Sequence, residues 1–351
     1  MKRRRTVTID EVALYAGVSS ATISRALNNP SAVKPATQSR ILAAISTLGY
    51  MPNASARALM LGHSGTVGAV VPTLDNAIFA KGLEQLQASM AQADLQLIVA
   101  SGNYDPLIEE QQIRNLLLRG VEAIALFGAS QTTNAIKLLQ NRNTPCIHLG
   151  TLNPPDNGYA CGFDNKKAIQ QGTLHLLELG HRRFGMLPGI TKNNDRATQR
   201  VEGVRELLYA HGIELGNTQI VEVAYDIAAS RKGFATLLEQ NPQMTALICG
   251  QDVIAYGAIL QAQQLGISIP SELSVTGFDD LELSQHIRPG LTTIRYDAND
   301  MWSKAAQSLI SRMKGDRPSK RLIPSETTLV VRESTAVPTN RSKHRRSTSK
   351  T

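Results

Sequence analysis

From residue 66 onward the chain alternates short apolar runs with helical stretches, and this alternation restricts the fold more than any other feature. The runs are TVGAVVP, LQLIVASG, AIALFG, CIHLG, RFGMLPG, IVEVAY, ALICG and SVTGFDD, each long enough for a strand and too continuous in its apolar residues to have a wet face. Stretches such as AIFAKGLEQLQASMAQA and DVIAYGAILQAQQLG lie between them. Strands buried on both faces and separated by helices build a parallel, doubly wound sheet. Two successive sets predict two similar α/β subdomains facing a cleft, over residues 66–337. Ligands in such sheets sit outside the carboxyl ends of the strands, so the loops after strands are where a site belongs.

The first 51 residues follow a different pattern. Thr8 followed by Glu11 is a capping box, and Val12, Leu14 and Tyr15 give the next helix an apolar face that stops at Gly17. Ser19 or Ser20 can cap a second helix that buries Ile23, Ala26 and Leu27 and turns Ser20, Ala21, Ser24 and Arg25 outward. Two short helices joined by a glycine-containing turn form a helix-turn-helix unit, and small residues on the exposed face of its second helix can approach base edges. A third helix starts at Pro35, ends near Gly49, and closes the core with Ile41, Ala44, Ile45 and Leu48. Residues 52–65 then contain ASARALML, too short for a stable helix in water and placed as a hinge.

Charge separates the same regions. The net +8 is the sum of +6 in residues 1–62, +5 in residues 339–351 and −3 in between. A basic head, with Arg3, Arg4 and Arg5 at its start, on a mildly acidic body suits a polyanion partner. The tail over 338–351, which includes RSKHRRSTSK, lacks apolar periodicity and reads as a solvated end. No run of 18 apolar residues exists, and the basic start leads into polar residues, so a cytoplasmic protein without a membrane span is expected. Cys146, Cys161 and Cys249 sit in apolar runs without metal-ligand spacing and read as reduced, buried thiols. No metal and no cofactor are expected. Catalysis is disfavoured, because no strand is followed by G-x-G-x-x-G, no P-loop occurs, and no serine or cysteine sits on a nucleophile elbow.

The motifs TIDEVALYAGVSSATISRALN, GYMPNASARAL, CGFDN, LGHRRFGMLPG, RVEGVREL, SVTGFDD and LTTIRYD occur in this order over residues 6–337. In that order they resemble the lactose and galactose repressor family of bacterial transcription regulators. The resemblance implies a helix-turn-helix head and hinge helix on a periplasmic-binding-protein-like core. It further implies a homodimer on a palindromic site in double-stranded operator DNA, switched by a small-molecule effector such as a sugar or sugar acid. Ser20, Ala21 and Arg25 then correspond to base-reading positions, and Thr22 and Ser24 to phosphate contact or capping. Thr8, Ser19, Asn28, Asn53 and Arg57 complete the implied DNA surface, with Leu59 as a minor-groove wedge. In the core the resemblance points to Asp279 and Arg200 as effector residues, with Asp75, Asn76, Phe79, Gln251 and Asp252 around them. Asp252 reads equally as a helix cap, and Asp164 as a loop-holding residue. Two positions depart from the family pattern: Gln251 replaces the asparagine of a frequent Asn-Asp pair, and Gly150 stands where several members carry an aspartate. The tail after Thr335 has no leucine heptad, so no tetramerising coiled coil is expected.

Overall fold

The computed structural model describes residues 7–52, 62–316, 318 and 320–339. The chain divides into two compact units, Met1–Ser64 and Gly65–Thr351. Asn53, Arg57, Leu59, the arginines before Thr6 and the basic tail beyond Thr339 lie outside the described residues.

The first unit is a three-helix head: α1 (Ile9–Ala16), α2 (Ser20–Asn28) and α3 (Pro35–Leu48). Both halves of the predicted capping box form, with the Thr8 amide donating to Glu11 Oε2 (2.8 Å) and the Glu11 amide to Thr8 Oγ1 (3.3 Å). Gly17 ends α1 at φ 63°, a conformation glycine adopts without strain. The apolar face of α1 is not the predicted one. Val12, Ala13 and Ala16 are buried with Ile23, Ala26, Ile41 and Ala44, while Leu14 is 85% exposed and Tyr15 is also outside. Residues 12, 13 and 16 share the stripe that faces α2 and α3, and position 14 falls about 200° round the helix from Val12.

The second unit holds two sheets. The first runs β10-β5-β4-β3-β1-β2, all parallel, built from β1 (Thr66–Val71), β2 (Gln96–Ser101), β3 (Ala123–Phe127), β4 (Cys146–Leu149), β5 (Tyr159–Gly162) and β10 (Leu322–Pro324). The second runs β11-β9-β8-β7-β6, from β6 (Phe184–Leu187), β7 (Ala246–Cys249), β8 (Ser274–Phe278), β9 (Thr292–Tyr296) and β11 (Thr327–Val330). Its edge strand β11 is antiparallel to β9. The subdomains are therefore not simply successive: the chain passes between the sheets three times, after β5, β9 and β10. The IVEVAY run is not a strand either. It makes only bridges from Ile220 to Met186 and Val223 to Gly189, because Pro188 has no amide with which to continue a ladder.

Helices α4 (Ala77–Gln92), α5 (Pro106–Leu118), α6 (Thr133–Asn141) and α11 (Ala298–Met313) belong with the first sheet. With the second go α7 (Asn165–Glu178), α8 (Asp195–Ala210), α9 (Ile227–Gln240) and α10 (Asp252–Gln264). The fold is a helix-turn-helix unit plus a periplasmic-binding-protein-like α/β core with two doubly wound subdomains. Helix α11 returns to the first subdomain and buries Trp302, the chain's sole tryptophan, against α4 at Gly82. A Cβ on Gly82 would lie 2.0 Å from Trp302 Nε1. Gly82→Ala is expected to overpack this contact and destabilise the core by about 1–3 kcal/mol, measured by urea unfolding followed through the Trp302 emission.

Candidate functional site

On the head, α2 presents an exposed edge of Ala21, Arg25 and Asn28, spaced by about one turn each. Ser19 caps the helix by accepting from the Thr22 amide (3.2 Å), and its hydroxyl also bonds the Thr22 hydroxyl (2.9 Å). The Ser20 hydroxyl donates to Asp10 on α1, and Asn28 Nδ2 donates to Ser24 Oγ. Thr8, Ser19 and Thr22 thus have capping work, while Ala21 and Arg25 project free of it.

In the core, the carboxyl ends of both sheets meet around one cavity. Every residue lining it comes from the end of a strand or from the loop or helix start that follows one. Ile78 and Phe79 follow β1, Tyr104 follows β2, Phe127 ends β3, Gly150 follows β4 and Phe163 follows β5. From the other side come Asn194, Arg196, Ala197 and Arg200 after β6, Tyr225 from the loop before α9, Gln251 after β7, Asp279 after β8, and Tyr296 at the end of β9. The chain has six phenylalanines and eight tyrosines, and three of each line this cavity, an apolar wall around a few polar groups, as ligand pockets require. The cavity measures about 30 Å³, room for a water molecule or two, so its walls are closed on each other.

Arg200 is buried with its guanidinium 3.6 Å from the Phe278 ring centroid. Its Nε donates to Asn165 Oδ1 (3.1 Å) and its Nη1 to the Gly250 carbonyl (2.7 Å), and neither bond uses Nη2. Asp279 is backed into the cavity at φ 109°, a strained conformation for a residue with a Cβ, and its Oδ2 has no hydrogen-bond partner among the described residues. Burial pushes this carboxyl up to about 6, against the opposing pull of Arg200, the Gln251 amide and Arg196. A strained, buried carboxylate with an empty acceptor oxygen is how a binding site is built, since a purely structural acid would have its partners in place.

Of the core residues named from sequence, Phe79, Arg200, Gln251 and Asp279 line the cavity. Asn76 caps α4 and donates from Nδ2 to Gln251 Oε1 (3.1 Å), so these two residues close the cleft on each other. Asp75 is exposed and is not in the cavity wall. Asp252 is fully buried away from the cavity and is not a side-chain cap, because Gln251 holds the cap position. Its carboxylate accepts from the Leu281 amide (2.7 Å), Ser284 Oγ (2.7 Å) and Thr293 Oγ1 (2.5 Å), which fixes the loop behind Asp279. Asp164 caps α7 at the Lys167 amide, holding the loop as expected. Sequence reasoning missed Tyr104, Tyr225, Asn194 and Arg196. Only Arg196 had a legible signal, being one helical turn before Arg200. Among the described residues, no cluster of three or more histidines, cysteines or acids could hold a metal ion, and no helix is long and apolar enough to cross a membrane.

Residues 8–53 match the family of bacterial regulatory proteins, lacI family, and residues 173–335 match the periplasmic binding protein-like domain. The HTH-type transcriptional regulator GntR of Pseudomonas aeruginosa is 30% identical over 333 residues, covering 93% of this chain and 95% of that protein. The chain belongs to the lacI family of bacterial regulatory proteins. Among solved structures, the lac repressor dimer bound to operator and the anti-inducer ONPF is 25% identical with a TM-score of 0.83, over 95% of this chain and 100% of that one. A transcriptional regulator CelR–cellobiose complex is also 25% identical, with a TM-score of 0.70 over 93% of this chain and 99% of that one. As a lacI-family member, the chain is a DNA-binding transcription regulator.

The raised Asp279 carboxyl gives a pH test of this regulator's cavity. Carboxyls of the unfolded chain titrate near 4, so the contribution from Asp279 is full below about pH 4 and is lost as pH rises through about 6. Buried His148 and His181, both with lowered pKa, act in the opposite sense, so a difference measurement isolates the acid. The stability of Asp279→Asn relative to wild type is expected to rise on the order of 2 kcal/mol from pH 4 to pH 7 in urea unfolding. A flat difference would mean that the carboxyl is not held in a low-dielectric site.

Proposed function

We propose that this lacI-family chain is a repressor that binds a palindromic operator as a homodimer and is switched by a small hydroxylated metabolite in the core cavity. The observation that carries the effector half is the unpartnered Asp279 oxygen, buried and strained beside Arg200 in a cavity closed by side chains from both sheets. A carboxylate takes two hydroxyl donors and an arginine fork takes acceptors, the mixture a polyol or sugar presents. The CelR–cellobiose complex supports a carbohydrate-like ligand, and the operator-bound lac repressor dimer supports two-fold recognition of DNA. On the head, Ala21 and Arg25 read bases, while Ser19, Thr22 and Ser24 position the helix on phosphates, with Thr8, Asn28, Asn53 and Arg57 as further contacts and Leu59 as the wedge. Ligand bound between the two sheets shifts the balance between closed and open cores, and through the dimer this changes operator affinity.

The experiment is operator and random-DNA binding by gel shift at fixed salt, for wild type and two variants. Arg25→Ala is expected to lose about 10- to 100-fold on operator, as removing one bidentate guanine contact requires, and much less on random DNA. Equal losses on both DNAs would reduce Arg25 to a phosphate contact. Asp279→Ala is expected to keep operator affinity within about twofold and to lose the response to effector, because head and cavity belong to separate units. An unchanged response in Asp279→Ala would remove the cavity as the effector site.

A further inference from the structure

The geometry points to an anionic effector for this cavity: a polyhydroxylated carboxylic acid of the aldonic or uronic type, with its carboxylate on Arg196 and its hydroxyls on Arg200, Gln251 and Asp279. This rests on the cavity being the effector site and specifies which ligand class it takes.

Arg196 lies in a slot that the backbone keeps open for it. Gly128 (φ 84°) and Gly150 (φ 71°) form the slot, and a Cβ on Gly128 would sit 1.5 Å from Arg196 Nη1. A Cβ on Gly150 would meet the Phe127 ring at 2.8 Å and the Arg196 side chain at 3.5 Å. The guanidinium carbon is 4.8 Å from the Phe127 ring centroid, and Nη1 donates to the Phe127 carbonyl (3.3 Å) and to Asp195 Oδ1 (2.9 Å). These bonds fix the fork and leave Nε and Nη2 without a hydrogen bond among the described residues. That is the edge with which an arginine binds a planar carboxylate by two parallel bonds.

The counter-charge is already committed. Asp195 Oδ1 also accepts from the Ala129 amide (3.2 Å) and Ser130 Oγ (3.4 Å), so its charge is spread over three donors, and Gly150 puts no acid into the wall beside Arg196. Asp279 lies under the stronger influence of Arg200 than of Arg196, so the two arginines serve different ends of the cavity. An acid bound at the Arg196 end needs Asp279 to hold its proton, and the raised pKa allows that at near-neutral pH, leaving Asp279 able both to donate to and accept from hydroxyls. A neutral sugar would leave the Arg196 edge desolvated without an acceptor. Entry requires Tyr104 to leave its stack on Tyr225 (5.3 Å), and behind Tyr104 lies a second cavity of about 20 Å³ whose wall also includes Arg196. Opening therefore exposes Arg196 to the joined space.

The test is calorimetric titration of the full-length protein with the six-carbon aldonates and uronates of the gluco, galacto and manno series, each paired with its neutral aldose. At least one acid is expected to bind at least 10-fold tighter than its aldose. For that acid, Arg196→Gln should lose at least 10-fold, Arg196→Lys should restore part of the loss, and both variants should keep operator binding as proof of folding. Binding of an aldose as tight as its acid, binding by no acid of the panel, or an Arg196→Gln affinity within twofold of wild type would each overturn the anionic assignment. Asp279→Asn separates the two claims. If it weakens an aldose that binds as tightly as its acid, the cavity stands and the anion falls. If an acid binds with the expected preference and Arg196 dependence but is indifferent to Asp279→Asn, the placement of its hydroxyls falls.

Discussion

One buried chain of hydrogen bonds ties the two sheets together at the cleft, and the candidate site is organised around it. Asn165 Nδ2 donates to the Gly150 carbonyl (2.9 Å) after β4, its Oδ1 accepts from Arg200, and Arg200 donates in turn to the Gly250 carbonyl after β7. Asn165 is fully buried and begins α7, just where the chain first leaves the first sheet for the second. A charge can be held there because the guanidinium has two oxygen acceptors and lies over the Phe278 ring, while Asp279 stands next in sequence. Removing either Asn165 or Arg200 would orphan buried partners on both sides, which makes this chain the fixed point about which cavity residues are placed.

The other ties across the cleft are of a kind that a ligand can exchange. Asn76 meets Gln251, Asp195 meets the Ala129 amide and Ser130, and Tyr104 stacks on Tyr225. Each is a neutral or locally compensated contact with a net value of about 0.5–1.5 kcal/mol, so hydroxyls of a bound molecule can replace them at little cost. Tyr104 sits at φ 55° directly after Asn103 at φ 51°, two left-handed residues in a row on the loop that carries it. Such strain persists only where surroundings hold it, and the Tyr225 stack is the surrounding that holds Tyr104. Phe127 transmits the state of the cavity inward, packing against Phe79 (4.8 Å) on α4 and Trp302 (6.0 Å) on α11.

The fold was legible because apolar runs of strand length leave few alternatives, and the head because capping residues and Gly17 mark its helix ends. The errors have local physical causes. Leu14 and Tyr15 are apolar but fall off the stripe that Val12, Ala13 and Ala16 share. IVEVAY has strand composition, yet its neighbour carries Pro188. Antiparallel β11 follows a return from the first sheet that no periodicity records. At the site, Asp279 and Arg200 were found through motif position, whereas Tyr104 and Tyr225 come from loops whose course depends on tertiary packing. Asp252 was drawn to the site by its neighbour Gln251, but one residue further along a helix start turns the side chain about 100° into the core.

The central claim is that a ligand bound in this cavity acts on the contacts joining the two sheets. Amide hydrogen exchange of the full-length protein, with and without a saturating ligand found by thermal-shift screening, tests it most directly. Protection is expected in peptides covering residues 102–109, 190–200, 223–227 and 249–252 and the turn after Phe278, together and on both sheets. Protection restricted to one sheet, or centred instead on the groove between Gln140, Tyr159 and Arg312, would contradict the account.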